Sequence, residues 1–341
     1  MSVPASEASS LEAALVALIE ENLPGVEQIG ISNLRQAPAG SSTENWFFDA
    51  AWMHHGERRN FPLILRLAPR SEVVFVERCD EFHLLAALER SSVPAPRAFW
   101  LDAAGRHFGR PGMVLQRCQG VARRDLLTDC RLTLEARSRI GVCFAATLAA
   151  LHSTPASLLP LPASLSQPRG ARALLERYDT EVTRDAPTSI EMKIGAWWLR
   201  EHLPNPPKQP VVVHGDFRPA NVLVDGETVT AVLDWEFAHV GDPAEDIGWF
   251  LAPIYRNEHF PAGLWSPRDF LSRYEQLTGT EVSMEAVRWW MVFALYKLAT
   301  IALATAKAFK AGDARRLIRS TDYHFGPLLE AIAHPDEVLA I

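Results

Sequence analysis

Between Val211 and Phe250 the chain reads VVVHGDFRPANVLVDGETVTAVLDWEFAHVGDPAEDIGWF, and the side chains best suited to chemistry stand there. Asp216 follows His214-Gly215 at the end of an apolar run, Asn221 comes five residues later, and Asp234 closes a second apolar run. Asn and Asp oxygens are hard ligands that suit Mg²⁺, an ion that takes few protein groups and relies on substrate phosphates for the rest. A separate carboxylate beside such an ion can accept a hydroxyl proton. Those are the parts that phosphoryl transfer needs: a positioned nucleotide, neutralised charge and an oriented nucleophile. Singly, His-Gly-Asp is a common turn and Asp-Trp-Glu an ordinary surface loop. The ordered set is what chance does not supply.

The elements that must position these residues are legible around them. Val211–Val213 reads as a short buried strand that delivers His214 to Asp216 onto a loop. Val222–Val224 and Val229–Leu233 flank Asp225-Gly226, a hairpin signal, which brings Asn221 and Asp234 to the open end of one hairpin. Upstream, Ser10–Asn22 has helical spacing and stops at Leu23-Pro24-Gly25. Trp46–Trp52 and Phe61–Leu67 read as two strands joined through the polar stretch His54–Asn60. Val73–Arg90 reads as a helix, and Arg97–Leu101 and Gly112–Gln116 as further strands. Thr133–His152 and Ala171–Leu203 read as helices, as does the chain beyond about Ser266. The expectation is an α+β, two-lobed molecule: residues 1–118 a small antiparallel sheet with one helix, residues 119–341 larger and mainly helical.

Composition narrows the class. The 341 residues include 48% hydrophobic and 22% charged residues, an ordinary globular balance. With 34 Lys and Arg against 41 Asp and Glu the net charge is −7, which disfavours a nucleic-acid groove. Four cysteines stand far apart with no Cys-x-x-Cys pair, which argues against a disulfide scaffold or zinc ribbon and fits a reducing compartment. Met1–Ser10 has no signal-peptide pattern. The apolar stretch Trp289–Ala306 approaches the length of a membrane span, but Lys297 in its middle and Arg288 at its edge favour a buried helix. A cytoplasmic protein with no nucleic-acid or membrane partner is expected.

HGDFRPAN, LDWE and GDPAEDIGW resemble the motifs of the aminoglycoside phosphotransferase family within the protein-kinase-like superfamily. The pattern is most similar to the branch attached to some acyl-CoA dehydrogenases, and the resemblance runs roughly from Ile29 to Gly326. It implies a bilobal protein-kinase-like fold with ATP and Mg²⁺ as cofactors. It further implies that Asp216 is the catalytic base and that Asn221 and Asp234 bind the metal, with His214 supporting the loop. Arg218 then either stabilises charge on the transferring phosphate or forms a loop-stabilising ion pair. Glu236 stands where protein kinases have Gly. Asp242 and Asp246 read as helix-capping and loop-bracing residues.

At the nucleotide end the protein-kinase Gly-x-Gly-x-x-Gly is missing. Ala39 to Asn45 instead makes a polar turn in which the backbone at Ser41 and Ser42 would meet phosphates. Arg66 stands where most kinases place Lys, and a guanidinium can pair with phosphate and carboxylate together. Its acidic partner is Glu81, with Glu77 as the rival, and both also read as solvated helix acids. The connector Gln116-Arg117-Cys118 offers Gln116 and Cys118 to the adenine edge.

The acceptor is less legible. Residues 175–290 hold 19 Asp and Glu against 10 Lys and Arg, which fits either a cationic acceptor, such as an aminoglycoside or amino alcohol, or a solvated acidic surface. The same region is rich in aromatics, and those from Trp249 to Tyr255 would line a mixed pocket. That leans toward a hydroxylated small molecule with an apolar portion, hydroxyacyl-type by resemblance. The leading reading is an ATP- and Mg²⁺-dependent phosphotransferase acting on a small-molecule hydroxyl. The alternative is a nucleotide-binding pseudokinase, motivated by Arg66 and the non-glycine loop. A protein kinase is disfavoured by Asp-Trp-Glu in place of Asp-Phe-Gly.

Overall fold

A computed structural model describes residues 5–37, 44–68, 78–311 and 322–334. Strands β1 (Glu27–Gln36), β2 (Glu44–His54), β3 (Glu57–Leu67), β4 (Ala98–Asp102) and β5 (Gly112–Gln116) form one antiparallel sheet in the order β1-β2-β3-β5-β4. Alternation along β2 buries Trp46, Phe48, Ala50 and Trp52 on one face, where α1 (Ala5–Asn22) covers them with Leu15, Leu18 and Ile19. The opposite phase of β3 sends Ile64 and Arg66 toward the second, larger core. Because α1 seals the outer face, the inner face is the one that turns its polar residues toward the rest of the molecule. Helix α2 (Arg78–Leu88) buries Leu84, Leu85 and Leu88 in that larger core, so the N-terminal part carries two helices rather than one.

The β2–β3 connection is tighter than the polar stretch His54–Asn60 suggests. Its turn is His55-Gly56, both with positive φ (49° and 79°), and Glu57 already pairs with His54. Two-residue turns of this kind match the twist of the flanking strands, so the ladder runs on through Arg58, Arg59 and Asn60 beyond the reach of the core. These residues are polar because the hairpin tip is solvated.

The remaining chain builds the larger core. Helix α3 (Leu134–His152) starts at Thr133, whose hydroxyl accepts the Ala136 amide at 3.1 Å. After the short α4 (Ala163–Ser166), the helical stretch expected over 171–203 is two helices, α5 (Ala171–Asp185) and α6 (Ile190–Glu201). Pro187 stops the first, and Ser189 caps the second by accepting the Met192 amide. Strand β6 (Val211–Val213) pairs with β9 (His239–Gly241), and β7 (Val222–Asp225) with β8 (Thr228–Val232). Helices α7 (Pro243–Leu251), α8 (Arg256–His259), α9 (Pro267–Thr278), α10 (Met284–Ala311) and α11 (Asp322–Ala333) follow.

Helix α10 is long and apolar enough over Met284–Phe309 to cross a membrane by length and composition. In the fold it is a central strut, packed against α5, α6, α7 and α11, which accounts for apolar residues around its circumference. Its contact with α7 depends on Gly248, where an added Cβ would lie 2.7 Å from Trp290 Cβ and 2.8 Å from the Met291 nitrogen. Since backbone on the other side cannot give way, Gly248→Ala is expected to lower unfolding free energy by about 1–3 kcal/mol in urea titrations. An unchanged midpoint would show that the two helices have room between them.

Candidate active site

Strand β6 is fully buried and sets His214, Gly215 and Asp216 on the loop that follows it. Gly215 has φ +78°, and a Cβ there would meet Phe237 at 2.9 Å, so both conformation and space call for glycine. Asp246, in the first turn of α7, accepts the backbone amides of His214 at 2.7 Å and Gly215 at 2.8 Å. It also lies 3.1 Å from His152 Nε2, whose Nδ1 is 2.8 Å from the Tyr274 hydroxyl. Burial works against the Asp246 anion, but the bonds from His152 and the loop outweigh it and hold the carboxyl below the usual range. Asp242 does the separate job of capping α7 through the Ala244 amide at 2.9 Å, and it also accepts from Trp290 Nε1 at 3.1 Å. His214 Nδ1 accepts the Asp216 amide at 3.1 Å, and its Nε2–H donates to the Leu233 carbonyl at 2.9 Å. The histidine thus ties the Asp216 loop to the strand end that carries Asp234.

Asp216 itself is buried, and burial raises its pKa against the opposing pull of Arg218, His214 and Lys297. Asn221 Nδ2 donates to Asp216 Oδ2 at 2.7 Å and to its carbonyl at 2.9 Å, which leaves Asn221 Oδ1 as the atom able to meet a metal. The Leu233 amide donates to the Asn221 carbonyl at 2.7 Å, closing the hairpin end as its turn signal implies. Asp234 follows with a left-handed backbone (φ 67°, ψ 60°) that starts a 3₁₀ turn over Trp235–Phe237. Arg66 faces this group from β3. Its Nη1 donates to Glu81 Oε1 at 2.6 Å and its Nη2 stands 3.7 Å from Asp234 Oδ1. Burial disfavours the Arg66 cation, yet Glu81, Asp234 and Glu236 raise its pKa above the ordinary guanidinium value. Burial, with Asp234, Glu81 and Asp216 adding like charge, pushes the Glu236 carboxyl up to about 7. Asp216, Asp234, Glu236, Glu81 and Arg66 therefore share one electrostatic neighbourhood, although Asp216 and Asp234 lie on different loops.

Arg218 Nε stands 2.9 Å from Asp216 Oδ1 as an ion pair, without the angle of a linear hydrogen bond. Both readings of Arg218 stay compatible with that contact. In the connector, Gln116 and Arg117 donate their amides to the Arg97 and Pro62 carbonyls, at 2.8 and 3.0 Å. Among the described residues Cys118 makes no backbone hydrogen bond, so its amide and carbonyl are what the connector offers a base edge. Ser41, Ser42 and Glu77 lie outside the described residues. Trp249 and Tyr255 are buried together with Ala252 and Ala294 in a small separate cluster, and Tyr255 lies within the electrostatic reach of Asp216.

One residue beside the site escaped sequence reasoning as a functional group. Lys297, in the middle of α10, is buried and donates from Nζ to the Gly215 carbonyl at 2.8 Å. The rings of Phe237 and Trp249 lie 4.3 and 4.8 Å from it. The signal was present, a lone lysine in an apolar run, but nothing local to residue 297 names its partner. Among the described residues no group of three or more His, Cys, Asp or Glu forms a ready metal cage. Replacing Arg66 by Met would leave Glu81 and Asp234 without their cation. We expect nucleotide affinity to fall at least about tenfold in Arg66→Met and less in Arg66→Lys, measured by calorimetric titration with an ATP analogue.

The chain resembles known proteins in three ways. A family model described as the phosphotransferase enzyme family matches residues 33–290. Mouse acyl-CoA dehydrogenase family member 10 is 25% identical over 335 residues, 92% of this chain and 30% of that protein. Human acyl-CoA dehydrogenase family member 11 is 24% identical over 306 residues, 85% of this chain and 38% of that protein. The chain thus spans between 30% and 38% of the length of these curated relatives. Among solved structures, a provisionally assigned aminoglycoside phosphotransferase of Ralstonia eutropha superposes with a TM-score of 0.69 at 20% identity, covering 94% of each chain. A thermostable mutant of aminoglycoside phosphotransferase APH(4)-Ia, solved in ternary complex with AMP-PNP and hygromycin B, gives 0.58 at 17% identity over 89% of this chain and 95% of its own. Macrolide 2'-phosphotransferase MphH of Brachybacterium faecium gives 0.57 at 19% identity, over 94% and 98%. These likenesses identify the α+β, kinase-like fold, and with the family model matching three quarters of its length the chain belongs to the phosphotransferase enzyme family.

Proposed function

We propose that this chain transfers the γ-phosphoryl group of ATP, with Mg²⁺, to a hydroxyl of a small molecule. The observation that carries the reading is the convergence of Asp216, Asn221 and Asp234 on one charged cluster that Arg66 enters from the sheet. Nucleotide would lie between residues 1–118 and 119–341, at the Cys118 connector, with its phosphates toward Arg66. The residues fit Mg²⁺: burial, with the like charges of Asp234, Glu81 and Asp216, pushes Glu236 up to about 7, and the Asn221 amide is oriented with its oxygen unspent. Asn221 and Asp234 would hold the ion, which when bound neutralises phosphate charge.

Asp216 accepts the proton of the acceptor hydroxyl as its oxygen bonds to the γ-phosphorus and the bond from that phosphorus to the bridging oxygen of ADP breaks. Arg218 is close enough to Asp216 to orient it and to face developing negative charge. Lys297 fixes the peptide that precedes Asp216. The acceptor fits best as a hydroxylated compound with an apolar portion, because Tyr255 lies within electrostatic reach of Asp216 and the Trp249 ring stands 5.9 Å from the Tyr255 ring. Part of the regional acidic excess is exposed on the outside of α5 and beyond, at Glu176 and Glu201.

The test is Mg²⁺-dependent ATP turnover over a panel of hydroxylated compounds. Asp216→Asn is expected to lose about 10²–10⁴-fold in transfer while still binding nucleotide. Its Tm should not fall, because the change removes a buried charge that burial disfavours. The raised pKa sets the sign of the pH dependence. Transfer should decline as pH drops through a value above the ordinary carboxylate range, where Asp216 takes up a proton. Full activity in Asp216→Asn would remove the base from this reading, and nucleotide binding without transfer to any acceptor would favour a pseudokinase.

A further inference from the structure

A narrow crevice runs along the face of the Asp234 loop turned toward α5, with Arg169, Arg177, Tyr178 and Lys297 on its walls beside Glu236 and Phe237. Its two arginines stand out. Arg169 precedes α5 and Arg177 lies two turns along it, close enough that burial and then the Arg177 charge depress the Arg169 pKa. Like charges held together are unfavourable unless something negative joins them. Yet among the described residues neither guanidinium has an ion pair or a side-chain hydrogen bond, whereas most arginines around the site are paired, as Arg66, Arg124 and Arg218 are. Arg177 stands over the Tyr178 ring, at 5.8 Å.

Each acid nearby is shared with another group, although Asp80 and Glu245 still attract Arg169 and Glu181 attracts Arg177. Glu245 lies 3.1 Å from His239 Nε2, Asp80 accepts from Ser164 at 2.6 Å, and Glu236 faces Arg66 across the loop. Lys297 Nζ adds a third cation at the crevice floor while donating to the carbonyl next to Asp216. The crevice thus carries three cations against two carboxylates, Glu236 and Glu245, and through Lys297 it abuts the loop of the proposed base. Its outer end is open at Arg177, which is exposed.

We propose that Arg169 and Arg177 form a subsite for an oxyanion, a phosphate or carboxylate carried by the acceptor, so that the molecule is held by its acidic end while its hydroxyl lies at Asp216. Two guanidiniums lining one crevice can pair with the oxygens of such a group. The proposal rests on the reading of this cleft as a phosphotransferase site, and it disfavours a polycationic acceptor.

Two measurements test it, one of them independent of catalysis. Inorganic phosphate is titrated calorimetrically into the Arg66→Met chain, in which the nucleotide's cation is gone. Binding is expected there and should weaken about tenfold or more when Arg169→Ala and Arg177→Ala are added, while Arg177→Lys keeps most of it. Equal phosphate binding with and without the two arginines overturns the subsite. In the second measurement, hydroxy acids are compared with their uncharged amides as acceptors in the unmutated chain. A KM lower by about tenfold for the acids, lost in the Arg169→Ala/Arg177→Ala chain, supports an acceptor-borne anion. Phosphate binding at the arginines with equal KM values for acid and amide would assign the subsite to a free anion and overturn the proposal. Phosphate binding with no transfer to any acceptor would instead count against the phosphotransferase reading alone.

Discussion

A single buried carboxylate organises the centre of this molecule. Asp246 has no exposed surface, and it spends both oxygens on the two amides that turn β6 into the Asp216 loop. A charge in that position is costly unless it is paired and hydrogen-bonded, and His152, steadied by Tyr274, supplies a third donor. One acid from α7 thereby joins α3, α9 and the loop. A rigid loop is what a proton acceptor needs, because misplacement by an ångström costs more than any single contact returns.

Two of the buried aspartates, Asp246 and Asp216, act on stability in opposite directions. Asp246, with its pKa held down, stabilises the fold above the unfolded carboxylate value, and that contribution is lost as pH falls through its folded value. Asp216, with its pKa raised by burial, disfavours the fold at neutral pH and is relieved when it is protonated. Structure and chemistry thus divide between neighbouring acids that look alike in sequence. The same tension recurs around Arg66, where Glu81 and Asp234 share a guanidinium and Glu236 is left near half-protonation.

Much of this was legible before any coordinates. The Asp225-Gly226 turn told where Asn221 and Asp234 would meet, because a hairpin's open end is fixed once its turn is known, whereas Arg66 was placed by the resemblance and its face by the fold. That Glu81 partners Arg66 was implied by the resemblance, with the solvated reading left open until the bond itself decided it, and its rival Glu77 lies outside the described residues. What stayed hidden shares one trait: it is long-range. The pairing of β6 with β9 joins short strands with no alternation to read, and the unpaired state of Arg169 and Arg177 is a property of what surrounds them. The helical stretch expected over 171–203 is helical but divided for a local reason, the proline at 187.

The ammonium of Lys297 has a bearing on what counts as the whole catalytic unit. Every motif residue lies within residues 33–290, the span that the family shares, but the group that grips the Gly215 carbonyl comes from beyond its far edge. A protein cut at that boundary would keep the complete signature in its sequence while losing the strut that gives the signature its shape.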